Sequence, residues 1–221
     1  MSSKKTPGVI FPAERRVIER HRTPEAVQGF LNALPYNTEP PPGRATLRSF
    51  RGVIRHHTAH CLEAAITAAV ILEAHGYPPL VMSLESIDQL DHVIFVYRRR
   101  GRWGSVARSR DLGLHGRRPI FATLRQLALS YVDPFVDFTG RLKGYGAADL
   151  RVLDPYDWRL AEGNVWKVER YLLNMPHRKI ASSNARIRRL RARYVAFRRE
   201  HPGQQPDYYD QGSWTALPGR L

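Results

Sequence analysis

The chain has a single cysteine, Cys61, in the run Thr58-Ala59-His60-Cys61-Leu62-Glu63. Leu62 to His75 is rich in Ala, Leu, Ile and Glu, and Gly76 and Pro78 come after it, so the pattern predicts a helix beginning beside the cysteine. Thr58 is the expected N-cap, which makes Cys61 the third helical residue. There, unsatisfied backbone N–H groups and the positive end of the helix dipole favour a thiolate over a thiol. A thiolate attacks carbonyl carbon, and it needs an imidazole within hydrogen-bond reach and a third group to orient that imidazole. A free cysteine can equally be a small buried hydrophobe. The residues downstream of the helix decide between the two.

Leu80 to Glu85 reads as a buried strand, and Asp91 to Tyr97 as a stronger one, β-branched and aromatic. Arg98 to Arg102 is a polar turn containing Gly101, and Trp103 to Ser109 returns, giving an antiparallel hairpin. His92 opens the second strand. Alternation puts it on the face of Ile94 and Val96, a buried side, where it could face the start of the cysteine helix.

A cysteine at a helix N-terminus followed by a histidine on an antiparallel strand resembles the transglutaminase-like superfamily of papain-type cysteine enzymes. The likeness covers roughly residues 50–130 and extends to the hairpin Gly101-Arg102-Trp103. The segment Ser109 to Gly116 is similar to one found in uncharacterised bacterial proteins of that kind. The resemblance implies an α+β fold and acyl transfer through a thioester, either amide or ester hydrolysis or transamidation. Cys61 would be the nucleophile and His92 the base. The family carries its third residue, an acid, at a position that is Ala107 here. Asp111 is the expected substitute, with Ser109 as a nearer and weaker acceptor; a pseudoenzyme that keeps only the fold is the other outcome.

The remaining residues must position this site. The 221 residues are enough for one large domain. Residues 1–22 read as a basic arm, 23–180 as the α+β domain, and 181–221 as a basic C-terminal helix and tail. Thr23-Pro24-Glu25 starts a helix that Pro35 ends. Leu47 to Ile54 fits a short helix or an extended lead-in equally. Thr123 to Val132 is helical in spacing, 136–163 reads as loop, Asn164 caps a helix closed by Pro176, and Ser182 or Ser183 starts the last one. The architecture expected is a cysteine-bearing helix on a small antiparallel sheet with flanking helices. One cysteine excludes an internal disulfide framework, no apolar run is long enough to span a bilayer, and the first residues lack a signal core, so a cytoplasmic protein is expected.

Net charge is +15, from 35 Lys and Arg against 20 Asp and Glu. The last helix concentrates it: Arg186, Arg188, Arg189, Arg191, Arg193, Arg198 and Arg199 surround a stripe of Ile187, Leu190, Tyr194 and Phe197. The stripe says one face packs on the body, leaving the arginines solvated, so nucleic acid is the less favoured partner and a peptide, protein or small amide the favoured one. His56, His57, His60 and Cys61 invite a zinc reading, but no Cys-x-x-Cys or His-Glu-x-x-His spacing supports it, and neither metal nor cofactor is expected.

Overall fold

Every residue from Leu62 to Leu72 is buried, which is why the cysteine helix carries almost no polar side chain. A helix apolar all round belongs inside a protein rather than on it. The structure, a computed structural model, describes residues 9–39, 45–89, 91–136 and 140–204. Among these are seven helices: α1 Pro12–Arg20, α2 Pro24–Ala33, α3 Phe50–His56, α4 Cys61–Glu73, α5 Leu124–Leu129, α6 Trp166–Asn174 and α7 Asn184–Glu200. Six strands, β1 Leu80–Ser86, β2 His92–Arg99, β3 Arg102–Val106, β4 Arg117–Phe121, β5 Leu142–Asp149 and β6 Arg178–Lys179, form one antiparallel sheet in the order β4-β3-β2-β1-β5-β6. The fold is α+β, with the cysteine helix packed on the sheet as expected.

Alternation along the strands makes two cores. Val81, Val93, Phe95 and Tyr97 face α4, with α2, α3 and Trp158 completing that side. Met82, Leu84, Ile94 and Val96 face the other way, onto α5 and the segment Tyr131 to Phe135. Ala107, the position at which the resemblance would expect an acid, is buried in this second core. Its backbone is clamped from α2: Gln28 accepts from the Ala107 N–H at 3.0 Å and donates to the Ala107 carbonyl at 2.7 Å.

Several readings of the sequence change. Asn164 does not cap α6: Val165 holds that position, and the Asn164 side chain accepts from the Leu47 N–H at 3.0 Å. Arg117–Phe121 is a strand, β4. The basic arm holds a helix, α1, because Pro12 starts it and Ile18 is buried; Glu14, also buried, pairs with Arg51 at 2.6 Å. Leu47 to Ile54 is a lead-in followed by α3, with Ser49 as its N-cap. Thr58 is not the N-cap of α4. Its hydroxyl accepts from Arg48, Ala59 bridges in parallel to Tyr36, and His60 takes the capping position, so Cys61 is the first helical residue. Finally, 136–163 contains β5. Its glycines read as loop, but a Cβ on Gly146 would stand 2.8 Å from Met175 Cε and 2.9 Å from the Pro176 carbonyl, so the strand needs glycine for that close approach. The tail anchor Trp214 lies outside the described residues.

On α7, Ile187 and Tyr194 are buried while Leu190 and Phe197 are half-buried, so the apolar stripe does meet the body. Arg186 pairs with Asp133, and Arg141 reaches Asn184 at 2.7 Å. Among the described residues, no helix is long and apolar enough to cross a membrane.

Candidate active site

The N-terminus of α4 is held by one buried carboxylate. Glu63, fully enclosed, accepts from the backbone N–H groups of His60 (3.0 Å) and Arg48 (2.9 Å), from the Asn37 amide (3.0 Å) and from the Thr46 hydroxyl (3.1 Å). The first of these closes a capping box, since the His60 ring accepts from the Leu62 N–H at 3.3 Å. The other three tie the incoming strands of chain to the helix start, so the position of Cys61 is fixed from several directions.

Cys61 is partly exposed, and its sulfur lies 4.0 Å from the Asp91 carbonyl, at the mouth of β2. The next residue, His92, is buried on the face of Ile94 and Val96, its ring 6.1 Å from that of Tyr131. That face is turned away from α4, yet the His92 imidazole lies within interaction range of the Cys61 sulfur at the mouth of the strand. Burial pushes the Cys61 thiol up, but hydrogen bonds from the His60 and His92 imidazoles, and their charge, hold it well below the ordinary thiol range.

The two imidazoles are not equivalent. His60 has its Nε2 2.9 Å from the Thr46 carbonyl, and its Nδ1 receives the Leu62 N–H. It is part of the helix cap. Burial opposes its protonation, but the Cys61 sulfur and the Glu63 carboxylate raise it to about 9; the bond accepted from Leu62 belongs to the neutral ring. His92 has its Nε2 2.9 Å from the Leu114 carbonyl. A carbonyl only accepts, so Nε2 carries the proton and Nδ1 presents its lone pair, the tautomer a base facing a thiol requires.

The loop that supplies this carbonyl is itself fixed. Arg117, fully buried, donates to the carbonyls on either side of it, Gly113 at 2.5 Å and His115 at 2.7 Å, and its guanidinium lies 4.1 Å from the centre of the Tyr131 ring. Tyr131 adds a third bond, to the His115 carbonyl at 3.0 Å. Asp111 begins the tight turn Leu112–Leu114, and its carbonyl accepts from the Leu114 N–H at 3.0 Å. Ser109 bonds the Asp111 N–H at 3.2 Å and offers its carbonyl to His115 at 3.0 Å. The acceptor placed directly on His92 Nε2 is thus the Leu114 carbonyl, with Asp111 in the turn beneath it.

A further residue, like Leu114, escaped the sequence reading. Tyr36 follows the Pro35 that ends α2, and its bridge to Ala59 carries it to the start of α4, where its phenol faces the Cys61 thiol and backbone N–H. Burial, and then the charge of Cys61, push its ionisation well above the usual phenol value, so it keeps its proton as a donor. Arg108 and Arg110 sit over its ring at 5.9 and 5.8 Å. Its only sequence signal is an aromatic residue just after a helix-ending proline.

His56 and His57 are exposed at the far end of α3, and among the described residues no three His, Cys, Asp or Glu side chains converge as a metal site would need. A groove of about 380 Å³ opens from Cys61, between β1, β5 and α6. Compared with known proteins, the chain matches no family model and no curated protein.

Proposed function

We propose that this protein is a transglutaminase-like cysteine hydrolase or acyltransferase, acting on an amide or ester through a thioester. The observation that carries the reading is the placement of Cys61, at the first residue of a buried helix and 4.0 Å from the Asp91 carbonyl, beside His92, whose Nε2 is held on the Leu114 carbonyl. In this mechanism His92 Nδ1 takes the thiol proton and the sulfur attacks the carbonyl carbon. The oxyanion replaces the Tyr36 phenol at the Cys61 N–H, and Tyr36 O–H turns to it as the second donor. Collapse breaks the bond to the amine or alcohol, which leaves with the proton from the imidazolium. Water or an acceptor amine then gives its proton to His92, attacks the thioester and releases Cys61. Asp111 supports the base through the turn that presents Leu114.

The test is mass spectrometry of the protein after brief exposure to a p-nitrophenyl ester. The reading expects one acyl adduct on Cys61, lost slowly to water and absent from Cys61→Ser. A protein that stays unmodified while folded contradicts it.

A second reading, a non-catalytic basic binding module, is favoured by a shallow hollow on α7 lined by Arg188, Arg191 and Arg199 around Ala192, Val195 and Ala196. Binding of a polyanion that weakens steeply with salt and survives Cys61→Ser is its signature.

A further inference from the structure

The groove that opens from Cys61 has a charge opposite to that of the chain. Overall there are 35 Lys and Arg against 20 Asp and Glu, yet the groove is lined by three carboxylates, Glu85, Asp91 and Glu169, and one lysine, Lys143. Lys143 is committed to Glu85 at 3.1 Å. Asp91 receives the Ser86 N–H at 2.8 Å, and among the described residues neither it nor Glu169 is in an ion pair. His60 also lines the groove and, when charged, offsets the thiolate, so the groove keeps an excess of negative charge beside the sulfur.

Ser83, Ser86 and Gln89 add neutral polar groups along β1 and the turn after it, and one wall is aliphatic. Leu172 and Leu173 come one helical turn after Glu169 and therefore share its face of α6, and Leu62 and Val93 lie opposite. Leu173 is 61% exposed at the rim, a large apolar side chain with nothing over it. A groove that begins at a nucleophile, has one aliphatic wall and carries two carboxylates outside any ion pair among the described residues fits an aliphatic stem that ends in a cation.

Resting on the proposed role of Cys61, we infer that this groove selects substrates carrying an ammonium or guanidinium group on an aliphatic stem, as in an amide or ester of a basic peptide, with Glu169 and Asp91 as the recognising charges. The bulk charge of the protein would repel such a substrate; the groove concentrates it locally.

The experiment uses three methanethiosulfonates on the full chain: the cationic trimethylammonioethyl, the neutral methyl and the anionic sulfonatoethyl reagent. Each transfers its thioalkyl group to the Cys61 thiolate with loss of sulfinate, and each rate is divided by that for free cysteine. The expected order is cationic, neutral, anionic, with the outer two about tenfold apart or more at low salt. Glu169→Gln narrows that ratio, as does 1 M salt. Equal rates, or a faster anionic reagent, overturn the inference while leaving the nucleophile intact. Failure of the neutral reagent to label the folded protein overturns the nucleophile, and this inference with it.

Discussion

The Nε2 of His92 stands 2.9 Å from the carbonyl oxygen of Leu114, and the two flanking carbonyls, of Gly113 and His115, are both held by Arg117. A main-chain oxygen thus does for this imidazole the orienting that a carboxylate does elsewhere: it selects the tautomer, without a full negative charge to stabilise the imidazolium. Because the acceptor is backbone, the side chain at 114 should not matter to the base. Leu114→Ala is expected to cost about 2–3 kcal/mol of stability while leaving the reactivity of Cys61 near pH 6 little changed. Arg117→Lys, which cannot hold two carbonyls with one fork, should lower that reactivity about tenfold and cost about 3 kcal/mol. Asp111→Asn, which keeps the turn, should behave like the wild type. Alkylation rates and urea melts on the three variants check this, and a collapse of reactivity in Asp111→Asn alone would move the orienting role to that carboxylate.

Tyr36 is expected to matter to carbonyl chemistry and not to simple alkylation. Displacement at iodoacetamide develops no oxyanion, whereas acylation does. Tyr36→Phe should therefore slow acylation by a p-nitrophenyl ester about 100-fold and leave iodoacetamide labelling near the wild-type rate. Equal loss in both assays would mean the phenol acts only through the position or ionisation of the thiol.

His115 makes stability depend on pH. Burial, reinforced by the positive charges of Arg108, His92 and Arg117, lowers it to about 4 although the Ser109 carbonyl favours the charged form. The unfolded chain takes up this proton near pH 6.5, the folded chain only near 4. Between those values the unfolded state binds more protons, so stability falls as pH falls. The full effect is about 3 kcal/mol. His115→Gln, which keeps a donor toward Ser109, should flatten the fall between pH 7 and 4.5 in urea unfolding. Parallel curves for the two proteins would remove His115 as the cause.

Gln28 is the one polar side chain of α2 that closes both backbone bonds of Ala107. Gln28→Leu preserves much of the volume but leaves a buried N–H and a buried carbonyl unpaired. At roughly 1–3 kcal/mol for each, a loss of about 3 kcal/mol is expected from chemical denaturation. A loss below about 1 kcal/mol, the net worth of one ordinary hydrogen bond, would mean that this end of β3 rearranges to find other partners.

How much of the molecule is legible in the sequence depends on what each feature rests on. The apolar run behind Cys61, the hairpin around Gly101 and the arginine-studded last helix are local patterns, and all appear close to where the sequence puts them. The strand β5 is hidden because its glycines serve a tertiary approach of the segment around Met175 and Pro176. β4 is hidden by Pro119 and by Arg117, a charged residue that is fully buried. In the site, Cys61 and His92 are legible because their chemistry is in their side chains and their positions open a helix and a strand. The carbonyl of Leu114 is not, since every residue has one and only the turn selects it. Nor is Tyr36, delivered by a lone bridge to Ala59, or the cap, where the His60 ring displaces the expected Thr58.

The pairing of Cys61 with His92 is probed most simply by the pH dependence of iodoacetamide labelling, measured with and without His92→Ala. The chain has one thiol, so the signal has one source. The hydrogen bonds and charges from His92 and His60 hold the thiol well below its ordinary range against its burial. Labelling should therefore be fast already below pH 7, and His92→Ala should shift the profile upward toward the ordinary thiol value of about 8.5. A thiol that titrates at the ordinary value in both proteins, or that reacts only on unfolding, would contradict the pairing and the chemistry built on it.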